Sequence, residues 1–158
     1  MKRHIVAITL AALCLAGTRA DAQGIRYGLG GTGQFSLEEG GGSDFGFGAI
    51  VDFIPVGHLG FRLDGSYLFN EGDDYFLLNG DAAYHFSTAS RTLHPYLLGG
   101  ASLLGFDETE FGVNVGAGAN FHRPGGSVGF FADARFNHFF DNSVSGLQIM
   151  AGVRFGEE

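Results

Sequence analysis

The chain has 158 residues, enough for one domain, and it holds 17 phenylalanines and 28 glycines but a single cysteine, Cys14. From Gln23 onward it has six arginines, no lysine and sixteen acidic residues, a net charge of −10. This balance argues against a nucleic-acid partner, because phosphate binding requires a basic face. The same region has no cysteine for a disulfide or a thiolate metal site. So many phenylalanines beside so few lysines indicate that much of the surface does not face water.

The first 22 residues have the features of a secretory signal peptide. A basic start, MKRH, precedes the apolar run IVAITLAALCLAG, which is too short to span a bilayer. The small-x-small pattern Ala20-Asp21-Ala22 predicts cleavage after Ala22. Cys14 lies inside the apolar run. A lipoprotein signal requires a small residue directly before its cysteine, and Leu13 occupies that position here. We therefore expect a cleaved leader, residues 1–22, followed by one domain, residues 23–158.

The domain shows apolar and polar residues in alternation, the period typical of strands with two different faces. The alternation recurs eight times, and no run has helical spacing. The fifth run, HPYLLGGASLLGF, is apolar on both faces and is the least clear. The predicted strands are Arg26–Leu37, Asp44–Ile54, Leu59–Asn70, Tyr75–Phe86, His94–Phe106, Glu110–His122, Val128–Phe140 and Val144–Phe155.

The lengths of the runs and the character of their connections predict an eight-stranded antiparallel up-and-down barrel. Each run has about ten to twelve residues, and a tilted strand needs about nine to eleven to cross a bilayer. The connections are alternately acidic, as in NEGDD and DETE, and neutral or positive, as in PVGH and RPGG. Alternate connections lie at opposite ends of such a barrel, so the two ends should differ in charge.

The composition of the two faces favours a transmembrane barrel over a soluble barrel that turns its phenylalanines inward. The apolar face carries no charge, and its aromatics concentrate toward strand ends, as they do in interface girdles. These aromatics are Tyr27, Phe35, Phe45, Phe53, Phe69, Phe76, Tyr84, Phe86, Phe111, Phe121 and Phe155. The polar face combines glycine with a few charges of both signs, which suits a narrow lumen in which charges must neutralise one another.

The inward charges are the main candidate site. We predict a closed salt-bridge network that fills the lumen with polar contacts, because eight strands leave little free bore. The alternative is that the same charges line an ion path. The network residues are Arg62, Asp64, Asp81, Asp133, Arg135 and Arg154.

The segments HPYLLGGASLLGF, FGVNVGAGANF and LQIMAGVRF resemble the small bacterial outer-membrane β-barrels of the OmpA/OmpX-like and opacity-protein-like type. The resemblance covers nearly all of the chain after the leader. It implies an integral outer-membrane protein, inserted by the barrel assembly machinery. In that family the last strand ends in an aromatic residue that the machinery recognises. Phe155 matches it, although Gly156-Glu157-Glu158 follow where the family usually stops.

Three further groups of residues have a possible chemistry and a plainer explanation. Four histidines fall near one end of the predicted barrel: His58, His85, His94 and His122. One interpretation is that they are metal ligands, and the plainer one is that they are turn and interface residues. His138 with Asp141, Ser143 and Ser145 contains the residue types of an acyl hydrolase, but His138 falls on the lipid face and no neighbouring serine is evident. The acidic loop residues either bind calcium or form a solvated rim. These are Glu38, Glu39, Asp44, Glu71, Asp73, Asp74, Asp107, Glu108, Glu110 and Asp141.

The stretch GLGGTG, Gly28 to Gly33, matches the glycine pattern of dinucleotide-binding folds, and Asp52 follows at a suitable distance. Such a site needs a helix after the glycines to hold the pyrophosphate. Here the alternation continues instead into Gln34 and Phe35, so we interpret the match as coincidence. Glycines in a strand mark close approach or a bend, and we expect substitutions here to impair folding.

The sequence thus predicts a monomeric, non-enzymatic outer-membrane protein without cofactor or bound metal, whose partners are outer-membrane lipid and the assembly machinery. Its acidic loops should face outward and its turns the periplasm. The predicted role is structural, or one of surface contact, in the cell envelope. Two alternatives remain: a soluble periplasmic barrel that binds a small apolar ligand, and a barrel enzyme that modifies lipid A.

Overall fold

A computed structural model describes residues 24–38, 40–70, 72, 74–90, 92–105, 109–122, 127–141 and 143–156, without the side chains of 54–56. The predicted signal peptide, residues 1–22, lies outside the described residues. The described residues form eight β-strands and contain no helix long and apolar enough to span a membrane. The strands are β1 Ile25–Ser36, β2 Ser43–Val56, β3 Leu59–Phe69, β4 Tyr75–His85, β5 Leu93–Leu104, β6 Glu110–His122, β7 Val128–Phe139 and β8 Ser145–Phe155.

Every strand pairs antiparallel with the next, and β1 pairs with β8, so the sheet closes into an up-and-down barrel. This confirms the predicted fold, and each predicted strand end lies within two residues of the observed one. We call the end with connections 37–42, 70–74, 105–109 and 140–144 the loop end. We call the opposite end the turn end. It has connections 57–58, 86–92 and 123–127, and β1 begins and β8 ends there.

The register fixes the tilt of the strands. Cα partners followed once round the barrel from Arg26 lead back to Ser36, ten residues further along β1. With strands about 4.8 Å apart and a rise of about 3.3 Å per residue, this offset corresponds to a tilt of roughly 40°. Each residue then advances about 2.5 Å along the barrel axis, and a strand of eleven or twelve residues crosses the apolar part of a bilayer.

Alternation along each strand separates the lumen from the outer surface. In β7, for example, Asp133 and Arg135 are buried while Ala132, Ala134 and Phe136 are exposed. The fifth run follows the same rule, with Tyr96 and Leu98 inside and Leu97 and Leu103 outside. The face assignment that alternation predicts is therefore observed in the strand whose composition left it least clear.

The glycines of GLGGTG play two different parts. A Cβ added at the inward Gly30 would overlap the backbone carbonyl oxygen of Ala151 on the paired strand. A Cβ at the outward Gly31 would meet nothing closer than the carbonyl oxygen of Gly46, 4.0 Å away. No helix follows this stretch, which lies wholly within β1. Close approach of neighbouring strands therefore explains Gly30, whereas space alone does not require a glycine at Gly31.

We expect Gly30→Ala to prevent most barrel formation, because the overlapping atom belongs to the backbone of a neighbouring strand and cannot move independently. Gly31→Ala is the matched control, one residue along the same strand, and should fold like the wild type. The folded fraction after refolding into detergent can be read from heat-modifiable migration on gels. Equal folding of the two variants would contradict this account of the glycine positions.

Candidate functional site

The outer surface carries two belts of aromatic side chains, as predicted. Between the belts, which are roughly 20 Å apart along the axis, the described outward positions hold only glycine and aliphatic residues, and none is charged. The belt at the turn end comprises Tyr27, Phe53, Phe61, Tyr84, Phe86, Phe121, Phe130 and Phe155. The belt at the loop end comprises Phe35, Phe45, Phe47, Tyr67, Phe69, Phe76, Phe111, Phe136 and Phe140.

The six predicted network residues all lie in the lumen, and each is at most 4% exposed. Arg62 on β3 has the most contacts. Its Nε donates to Oδ1 of Asp52 at 2.6 Å, and its Nη1 donates across the lumen to Oδ2 of Asp133 at 2.9 Å. The guanidinium also lies 4.5 Å from the centre of the Tyr96 ring, an attractive cation–π geometry. Arg154 on β8 donates to the other oxygen of Asp52.

Nearer the loop end, Arg135 on β7 holds the remaining acids. It donates to Asp64 on β3, and its Nη1 lies 3.0 Å from Oδ2 of Asp81 on β4. Its Nε lies 3.5 Å from Oδ1 of Asp133, whose other oxygen binds Arg62. Asp133 therefore joins the two groups, and one continuous chain of ion pairs connects five of the eight strands across the lumen.

The prediction of the network missed two members, Asp52 and Tyr96. Asp52 shares the inward parity of the other charges, and this parity could have identified it as a member of the network. Tyr96 lies in the run that is apolar on both faces, and its hydroxyl donates to Asp133 at 3.0 Å. With Asp52, four buried aspartates face three buried arginines. The half-buried Arg26 occupies an inward position in register with Asp52 and is a fourth arginine in the barrel interior.

A neutral layer of amides and hydroxyls lies on the loop side of the charges. Asn79 is its centre, because its Nδ2 donates to Asp64 at 2.8 Å and to Gln148 at 3.1 Å. The hydroxyl of Ser102 donates to Asn79 Oδ1 at 2.6 Å, and Asn114 donates to Ser102 at 3.0 Å. Hydrogen bonds therefore continue from the ion pairs through uncharged groups.

The lumen is less polar than predicted, because three apolar clusters lie inside it. They are Ile50 with Phe131 and Met150, Ala83 with Tyr96 and Leu98, and Leu68 with Leu77 and Phe139. The last cluster caps the lumen at the loop end, where Tyr75 and Leu104 pack against it. Inward glycines leave the space that such apolar clusters occupy. For example, a Cβ added at Gly28 would collide with Ile50 and contact Phe131 closely. Bulky apolar groups fill the volume that glycine leaves.

The histidines lie at the turn end, where the sequence places them. His58 is exposed, and its Nδ1 is 3.0 Å from the backbone oxygen of His85. The His85 ring packs against Tyr96 at 5.6 Å, and His94 and His122 occupy inward positions on β5 and β6. Among the described residues, no three or more His, Cys, Asp or Glu side chains are grouped so that they could hold a metal ion.

Two acids of the loop end have partners on the barrel. The hydroxyl of Tyr75 donates to Asp44 at 2.8 Å, and that of Tyr67 donates to Asp74 at 2.7 Å. Glu38, Glu110 and Asp141 also lie at this end. The remaining members of the predicted acidic rim lie outside the described residues: Glu39, Glu71, Asp73, Asp107 and Glu108.

The structure corrects the expectation that no serine neighbours His138. Ser145 pairs with it in register across β7 and β8, and the Nδ1 atom of His138 lies 2.9 Å from the Ser145 hydroxyl. Sequence spacing hid this contact, because the loop between the strands sets the register. Within the described part of the chain, this is the one hydrogen bond observed for the His138 ring, and no carboxylate contacts the ring. The third member of an acyl-transfer triad is therefore missing from the observed contacts.

Phe155 is the last residue of β8, points outward and is 44% exposed. It therefore lies in the turn-end aromatic belt, where the predicted assembly signal requires an accessible aromatic. Its recognition by the assembly machinery stays a prediction.

Several solved structures share this barrel. Neisserial surface protein A matches with a TM-score of 0.71 and 22% identity, over 84% of this chain and 97% of that one. The outer membrane protein OprG from Pseudomonas aeruginosa matches with a TM-score of 0.65 and 10% identity, over 83% and 94%. Ail, the attachment invasion locus protein of Yersinia pestis, matches with a TM-score of 0.61 and 19% identity, over 84% and 99%.

No protein-family profile and no curated protein sequence matches the chain. At these identities the structural matches establish the fold, which is that of the small bacterial outer-membrane barrels. Together with the uncharged, aromatic-belted outer surface, this fold confirms the predicted location in the bacterial outer membrane.

A charge placed on the outer surface tests its contact with lipid. We expect Ala134→Arg, midway between the belts, to reduce the free energy of unfolding by about 2–4 kcal/mol in lipid vesicles. Val128→Arg, on the same face of β7 at the turn end, should cost about 0–1 kcal/mol because the side chain reaches water. Urea unfolding of both variants measures the difference. Equal, small effects would indicate a water-exposed surface.

Proposed function

We propose that the chain is a structural protein of the outer membrane, a closed barrel that contributes to envelope integrity and does not conduct solutes. One observation carries the proposal: a continuous chain of buried ion pairs crosses the lumen from Arg154 to Asp81, and the apolar cluster of Leu68, Leu77 and Phe139 lies above it. An eight-stranded barrel has just enough interior for its own side chains. We therefore expect the paired charges to leave no continuous path for water.

The orientation follows from the ends of the barrel. The acidic connections belong to the loop end, which we assign to the cell exterior, and the turn end is then periplasmic. The loops have five or six residues each, too few for a large receptor surface. Ail has been solved with the heparin analogue sucrose octasulfate. We propose no such partner for this chain, because its acidic loops would repel a sulfated polymer.

Two other functions receive less support. A soluble barrel that binds an apolar ligand would have to expose the aromatic-belted surface to water, at a large hydrophobic cost. A lipid A-modifying enzyme could use Ser145 with His138, but no acid orients that histidine in the observed contacts. We therefore propose that the pair is structural and that the protein acts as a monomer without enzymatic activity.

Deleting the gene in its own host separates a structural role from a channel role. We expect the deletion strain to become more permeable to large antibiotics, while its uptake of small hydrophilic solutes stays unchanged. Expression of the wild-type chain should restore the barrier, and expression of Gly30→Ala, which we expect not to assemble, should not. Reduced uptake of small solutes in the deletion strain, or steady single-channel current from the purified barrel, would contradict the proposal.

A further inference from the structure

The turn end of the lumen contains buried N–H groups that have no acceptor. Arg154 is fully buried and donates Nη1 to Asn120 and Nη2 to Asp52, but its Nε has no partner among the described residues. Asn120 is also fully buried. Because arginine has only donors, it must face the amide oxygen of Asn120, and this contact fixes the orientation of the amide. The Nδ2 group of Asn120 is then left as a second donor without an acceptor.

A third nitrogen lies at the same level. The Nε2 atom of His85 is buried and also has no hydrogen-bond partner in the described structure. His85, Asn120 and Arg154 lie on β4, β6 and β8, each within the last three residues of its strand at the turn end. We call these three residues the mouth site. His85 itself is only half-buried, as is Arg26 at the turn end of β1, so the site is near the opening of the lumen.

Charge at this end favours an anion. Arg26, Arg62 and Arg154 occupy inward positions in the turn-end part of the lumen, where Asp52 pairs with Arg62 and Arg154. Asp64 and Asp81 pair with Arg135 further toward the loop end, and Asp133 lies between Arg135 and Arg62. The mouth of the lumen therefore has more positive than negative groups. A cation is therefore disfavoured there, and a bound water would not offset the charge.

We propose that the mouth site binds an oxyanion of the phosphate class. Several oxygens on one centre can accept N–H groups that arrive from different strands, and charge-assisted hydrogen bonds to a guanidinium are stronger than neutral ones. The same chemistry is offered by free inorganic phosphate and by the phosphate headgroup of a lipid in the adjacent leaflet. The site shares Arg154 with the ion-pair chain that carries the proposed function, but it uses the Nε–H that the chain leaves without an acceptor, and binding does not depend on whether the lumen conducts.

The test uses the intact barrel in maltoside micelles, which contain no phosphate, with nitrogen-15 labelling. Inorganic phosphate is titrated at constant pH and ionic strength, with sodium chloride in exchange, while the Arg154 Nε–H and Asn120 Nδ2–H2 resonances are recorded. Asn137 is the internal control, because it too is fully buried with an Nδ2 that lacks an acceptor, but it lies in the neutral layer beside Ser102. We expect saturable shifts at Arg154 and Asn120 and none at Asn137.

Asn120→Asp keeps the side-chain shape and the contact with Arg154 but replaces the donor with a negative charge. We expect this variant to bind phosphate at least ten-fold more weakly, with normal heat-modifiable migration. Unchanged binding by the variant would overturn the proposal. So would unshifted Arg154 and Asn120 resonances in the wild type, or shifts that Asn137 shares. If Asn120→Asp does not fold, the wild-type titration alone decides.

A second titration, with short-chain phosphatidylglycerol in the same micelles, distinguishes the sources. Shifts at Arg154 and Asn120 with this lipid identify a headgroup as a ligand. Shifts with inorganic phosphate alone identify a free anion.

Discussion

The structure depends on the neutralisation of charges that a narrow barrel cannot expose to water. Eight strands enclose an interior with room for side chains and little else, and an unpaired charge there would be costly to bury. Arg62 and Arg135 meet this requirement by reaching from one wall to the opposite one, and Asp133 forms ion pairs with both. The ion pairs in the lumen therefore also tie β3 to β7, far apart in sequence, so the groups that fill the interior hold opposite walls of the barrel together.

The rest of the molecule follows from this arrangement. Long arginine and phenylalanine side chains fit inside because inward glycines leave them space, as Gly28 does for Phe131 and Gly116 for Arg135. With the polar groups turned inward, every outward position is free to be apolar, and the aromatic residues gather at the two levels where a membrane meets water. The loop-end cap and the acidic loops face one side, and the donor-rich mouth faces the other, so the barrel presents different chemistry to its two compartments.

Alternation along single strands was enough to predict the eight strands, the two faces and the six lumen charges. It could not predict which charges meet, because cross-lumen neighbours depend on the ten-residue offset of the register, a property of the closed sheet. Asp52 lay on the inward face in the sequence, but its place between Arg62 and Arg154 appears only after closure. The contact of His138 with Ser145 was hidden because the loop between β7 and β8 sets the register of these two strands. The apolar clusters were missed because alternation gives the direction of a side chain and not the volume that its neighbours leave.

A double-mutant cycle on the cross-lumen pair Arg62–Asp133 tests the central claim most directly. Unfolding free energies of Arg62→Met, Asp133→Asn and the double variant give the coupling between two strands that are not neighbours in the sheet. The exposed pair Tyr67–Asp74, through Tyr67→Phe and Asp74→Asn, gives the reference value for a surface contact. Direct contact in a buried network predicts a coupling of about 2 kcal/mol or more for Arg62–Asp133, within the range observed for interacting residues. Additive effects within about 0.5 kcal/mol would mean that the ion pairs do not hold the barrel together.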